Sequence, residues 1–80
     1  MPLFELIDGI KINVYSNDHL PPHIHALYNE YEAIISINDK EVIRGFLPIP
    51  QLRKVKETMT ENENDLFALF TALNPQIKNL

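Results

Sequence analysis

The sequence predicts an α+β domain: a four- to five-stranded antiparallel sheet with C-terminal helical segments packed on one face. Three observations carry that reading. First, residues 3–47 hold short runs rich in β-branched and aromatic residues, separated by the turn signals Asp8-Gly9, Asn29-Glu30 and Asn38-Asp39-Lys40. Turns this short make successive strands antiparallel neighbours. Second, the apolar period changes after Pro48-Ile49-Pro50. Leu52, Val55 and Met59, then Leu66, Leu69, Phe70 and Leu73, recur at helical spacing. Third, 80 residues with no linker, repeat or low-complexity stretch allow one domain, 1–80.

Each element follows from its residues. The run 3–7 stops at Asp8-Gly9, a type I′ hairpin signal because both central residues need positive φ. In 10–15, Ile10, Ile12 and Val14 point one way, and Lys11, Asn13 and Tyr15 the other. Ser16-Asn17-Asp18 turns the chain. Pro21 and Pro22 then forbid helix and press the residues before them into extended geometry. A strand over 23–28 follows, with His23 and His25 on one face and Ile24 and Ala26 on the other. Strands over 31–37 and 41–47 complete the sheet, with Gly45 expected at a bulge.

Pro50 suits the first turn of a helix. Two helical segments, 50–59 and 61–73, fit better than one. Glu61, Glu63 and Asp65 are misplaced late in one helix and well placed at the start of a second. Thr60-Glu61-Asn62-Glu63 also matches a capping box. Asn74-Pro75 stops the second segment. The helices should bury Leu52, Val55, Leu66, Leu69, Phe70 and Leu73 against Ile10, Ile12, Val14, Ile24 and Ala26.

Composition narrows the function classes. No run of about 18 apolar residues exists, so no membrane span is expected. Met1-Pro2-Leu3-Phe4-Glu5 lacks the basic start and apolar run of a signal peptide. The absence of cysteine removes disulfides, thiolate nucleophiles and Cys-ligated zinc, and fits a reducing cytoplasm. Net charge is −4, concentrated in residues 1–40. Nucleic-acid binders carry a basic footprint, and here the only basic cluster is Arg53, Lys54 and Lys56. A nucleic-acid-binding regulator built on that cluster is therefore the least favoured reading.

All three histidines fall within Asp18-His19-Leu20-Pro21-Pro22-His23-Ile24-His25. His-x-His on a strand sets two imidazoles side by side, close enough for one ion. His19 or Asp18 could add a ligand across the proline turn. Three protein ligands with one open position is the arrangement of a catalytic zinc centre. Nickel or manganese is an alternative metal. His19 or His25 alone could act as a general base, since imidazole titrates near neutrality. The same residues also fit a structural turn whose imidazoles cap backbone groups. Lys11, Asn13, Tyr15 and Arg44 would share the uncovered sheet face with His23 and His25, making a ligand or partner face. Tyr28 and Tyr31 read as sheet-packing aromatics.

Gly9-Ile10-Lys11-Ile12, Tyr15, the Asp18–His25 stretch, Gly45 and a helical C-terminal part resemble the small bacterial proteins grouped as domain-of-unknown-function family 4160. The resemblance covers nearly the whole chain, and the Asp-His-x-Pro-Pro-His-x-His core is its specific part. Family members often carry a tryptophan in the C-terminal helix. This chain has none, and Phe67 or Phe70 is the candidate for that place. The resemblance implies a cytoplasmic bacterial accessory protein, encoded beside another small protein in a toxin–antitoxin-like pair. It supplies no catalytic residues.

Two readings lead. In the first, the domain is an interaction protein that binds a small protein encoded nearby, or itself, through the open sheet face or an edge strand. In the second, it is a metal-dependent hydrolase or nuclease using His19, His23 and His25, assisted by Asp18.

Overall fold

The computed structural model describes residues 3–16 and 21–77. Its strands are β1 (Leu3–Ile7), β2 (Ile10–Asn13), β3 (His23–Tyr28), β4 (Tyr31–Ser36) and β5 (Val42–Gly45). They form one antiparallel sheet in the order β1-β2-β3-β4-β5, so every spatial neighbour is also the neighbour in sequence. Turn chemistry explains this. Asp8 (φ 50°) and Gly9 (φ 77°) both adopt the left-handed conformation that the β1–β2 hairpin requires. Tyr28 pairs with Tyr31 across a two-residue turn in which Asn29 has φ 53°. Lys40 (φ 58°) closes the β4–β5 connection, where the Lys40 N–H donates to Ser36 O and the Glu41 N–H to Asp39 Oδ1.

Three strands are shorter than the sequence suggests, β4 by a single residue, since it ends at Ser36. β2 ends at Asn13 rather than 15, because the backbone carbonyl of Tyr15 accepts from the Asn74 side chain instead of from a strand. β5 spans Val42–Gly45 rather than 41–47, because the ladder to β4 is irregular. Arg44 faces Ile34 while Val42 faces Ile35, so Ile43 is the extra, bulged residue. The bulge is thus two residues before Gly45. Gly45 instead permits a close approach of two backbones. At φ 86° it passes so near Glu32 that a Cβ would collide with the Glu32 carbonyl oxygen. That oxygen accepts from the Phe46 N–H at 3.0 Å.

One sheet face builds the core. Ile12, Ala26 and Ala33 stand side by side across three strands, and Ile24 pairs with Ile35. All are buried, together with Ile10 and Val14, as the alternation predicted. The helices α1 (Ile49–Glu61) and α2 (Glu63–Leu73) cover this face with Val55, Met59, Leu66 and Phe70. Each fully buried side chain of this size contributes about 2 kcal/mol. Leu52, Leu69 and Leu73 pack only at the margin.

The helical stretch is broken, as charge demanded, but at Asn62 (φ −125°, ψ 26°). The Thr60 capping box does not form. Thr60 lies inside α1, and its hydroxyl donates to the Lys56 carbonyl at 2.9 Å, the usual i−4 outlet for a helical threonine. Asn62 instead ends α1 and starts α2. Its N–H reaches Thr58 O and Met59 O, its Nδ2 donates to Thr58 O, and its own carbonyl accepts from Leu66. Glu63 and Asp65 occupy the first turn of α2, where the helix dipole favours them, whereas Glu61 closes α1. Glu63 also pairs with Lys40 at 2.7 Å, tying α2 to the β4–β5 turn.

Candidate functional site

The diproline corner delivers β3 to the sheet in a fixed position. Pro22 is buried, and its carbonyl accepts from the Ile37 N–H at 2.9 Å, so the corner is stitched to the end of β4. His23 and His25 then stand on the same face of β3, with ring centroids 5.3 Å apart. His23 Nδ1 lies 2.7 Å from the Pro21 carbonyl oxygen. A carbonyl can only accept, so Nδ1 carries a proton and donates it to this bond. His25 Nδ1 lies 3.1 Å from Glu32 Oε2, and the same argument puts a proton on its Nδ1. Both imidazoles are therefore oriented through Nδ1.

Around them the sheet register assembles a small polar cluster. Asn13, His25, Ile34 and Arg44 form one row across four strands. The Tyr15 ring meets the His25 ring edge-on at 4.3 Å, and Asn13 Nδ2 donates to the Tyr15 hydroxyl at 3.2 Å. Among the expected face residues, Asn13 and Tyr15 join the histidines. Lys11 and Arg44 are exposed on the same face, and Lys11 shares a row with Leu27 and Glu32.

One expectation is corrected. His23 is not on an open face: it is 4% exposed, and its ring packs 5.7 Å from Phe70. The cause is the length of α2. Phe70 lies in its last turn, and buried Asn74 just beyond it ties that end to the β2–β3 connection by donating to both Tyr15 O and Phe70 O. His25 keeps a partly exposed side chain. Asp18 and His19 lie outside the described residues. Among the described residues no three His, Asp or Glu side chains are placed to hold one ion.

Sequence reasoning missed Glu32 and Phe70 as neighbours of the histidines, and Asn74 as the residue that ties Tyr15 to Phe70. Glu32 was within reach of it: the two-residue turn at Asn29-Glu30 fixes the β3–β4 register and puts Glu32 diagonal to His25 on the same face. The other two depend on how far α2 extends over the sheet, which periodicity does not encode.

A second surface lies at the far edge of the sheet. All of β5 is exposed, and Ile43 (49%), Phe46 (59%) and Ile49 (69%) are large apolar side chains left in solvent. Phe46 keeps an edge contact with Tyr31. Beyond Ile49 a shallow groove of about 390 Å³ runs along α1, lined by Ile49, Leu52, Arg53, Lys56, Glu57 and Thr60. The basic cluster is thereby split. Arg53 and Lys56 line the groove, while Lys54 pairs with Asp8 at 3.4 Å. No helix among the described residues is long and apolar enough to cross a membrane.

Neither curated proteins nor solved structures give a match to this chain. A family model does match, over residues 9–70, from the first hairpin turn through β5 and most of α2, with the diproline corner and both described histidines inside it. The chain belongs to the family described as Domain of unknown function (DUF4160).

Proposed function

We propose that this domain is a protein-interaction component, a cytoplasmic accessory protein that binds a small partner encoded nearby, as in a two-gene, toxin–antitoxin-like module. The observation that carries the reading is the exposed apolar edge of the sheet: Val42, Ile43 and Phe46, continued by Ile49. Isolated exposed apolar residues are ordinary, but a cluster on an edge strand marks a contact surface. The paired-gene part of the reading is what the resemblance of the Asp18–His25 stretch to the family implies. The test is co-expression with the product of the adjacent gene, followed by size exclusion with light scattering. A stoichiometric complex is expected, and Ile43→Lys should abolish it while leaving the fold intact. A strict monomer that does not take up the neighbour removes the reading.

A second reading rests on the histidine pair. Metal-bound histidines almost always donate the other ring N–H to a carbonyl or carboxylate, and both Nδ1 atoms do so here. Two imidazoles on one tetrahedral ion place their centroids about 5 Å apart, given a metal–nitrogen distance of about 2 Å; the separation here is 5.3 Å. In this reading His23 and His25 hold zinc, nickel or manganese through Nε2, and Asp18 or His19 completes the set. The ion would supply Lewis acidity or an activated water for a hydrolase or nuclease. Elemental analysis of protein purified without a polyhistidine tag should find about one equivalent of metal. No copurifying metal, and no thermal shift on adding zinc, nickel or manganese, would remove it.

A further inference from the structure

We infer that the β5 edge and the adjoining α1 groove take a segment of another protein in which acidic residues flank apolar anchors. This deepens the interaction reading and rests on it. The argument is charge complementarity around the apolar patch. The chain is acidic, at −4. Among the described cations, Lys40 and Lys54 are paired with Glu63 and Asp8. Arg44, Arg53 and Lys56 carry no ion pair among the described residues, and all three border the patch. Arg44 lies on β5 between Ile43 and Gly45. Arg53 follows Ile49 by one helical turn, and Lys56 comes about one turn later. Glu57 is the only acidic side chain that lines the groove. Of the described cations without an ion pair, Lys11 lies on the open sheet face and the other three lie around the exposed apolar residues of the β5 edge.

A second copy of this chain fits less well. A two-fold contact through this edge would bring each copy's Arg44, Arg53 and Lys56 toward the same cations of its mate, a like-charge arrangement that opposes association. A segment carrying Glu or Asp on either side of Val, Ile or Leu answers both features: the apolar anchors cover Ile43, Phe46 and Ile49, and the carboxylates meet the cations.

The experiment uses the whole chain with two short synthetic peptides of one apolar sequence, one flanked by glutamates and one by lysines. Each is titrated while the backbone amide resonances are followed. The glutamate peptide is expected to shift amides of 42–49 and of the first two turns of α1. Its binding should weaken with added salt. The double variant Arg53→Glu/Lys56→Glu should weaken it by at least about tenfold, the scale of close charge pairs at interfaces. Equal binding of the lysine peptide, or shifts confined to other surfaces, overturns the inference. So does concentration-dependent dimerisation through β5 without peptide. The adjacent gene product separates this failure from that of the broader reading. If it binds the wild type and the double variant equally, the acidic-segment inference falls and the interaction reading stands. If it does not bind at all, both fall.

Discussion

At the scale of single residues, the site is governed by which atom accepts. Pro21 O and Glu32 Oε2 accept hydrogen bonds from the imidazoles, so each ring carries a proton on Nδ1 and is oriented through it. Asn74 is the residue that holds the surroundings in place. It is fully buried, donates to Tyr15 O at 3.0 Å and to Phe70 O at 2.9 Å, and its Oδ1 accepts from Gln76. Asn74→Ala leaves the Tyr15 carbonyl without this donor in the interior. It should cost about 2–3 kcal/mol in urea unfolding. It should also raise amide exchange near Tyr15 and His23 above that of β4. In the sequence Asn74 reads only as a helix stop before Pro75. The histidines were legible as a pair on one strand face, because strand periodicity alone sets that. That His23 is roofed by Phe70 was not legible, because the contact joins the start of β3 to the far end of α2.

At the scale of elements, the helical stretch shows two signals competing for one break. The charge signal is met: Glu63 and Asp65 open α2. The capping-box signal is not, because Thr60 satisfies its hydroxyl within α1 and Asn62 takes the irregular backbone. The two arrangements differ in stability. A true N-cap threonine is worth about 1 kcal/mol, whereas Thr60→Ala here should change stability by less than about 0.5 kcal/mol, as expected of an exposed helical position. Asn62→Ala should be the costlier of the two, because it removes the bond to Thr58 O. Thermal melts of the two variants side by side decide this. Strand identity and order were readable from the turns. The exposure of β5 was not read from its apolar residues, which look like core until one asks which later strand would cover them. Among the described residues no strand pairs with its outer side, so β5 is an edge.

At the scale of the molecule, sheet and helices share one core. Ile10, Ile12, Ile24, Ala33 and Ile35 pack in the same cluster as Val55, Met59, Leu66 and Phe70, and Lys40–Glu63 adds a clamp between the β4–β5 turn and α2. A thin core of this kind leaves neither layer stable alone. Unfolding should therefore be a single transition, with helical circular dichroism and tyrosine fluorescence changing together. A separate early loss of helix signal would contradict the shared core.

The irregularity at Ile43 has a further consequence for behaviour in a crowded solution. A straight, regular outer strand invites copy after copy to add on and grow into fibres. Here the outer strand has only four residues, one of them out of step with its neighbour. The ladder of main-chain groups offered to the outside is therefore interrupted. A sticky border can then accept one suitable visitor without seeding an endless stack.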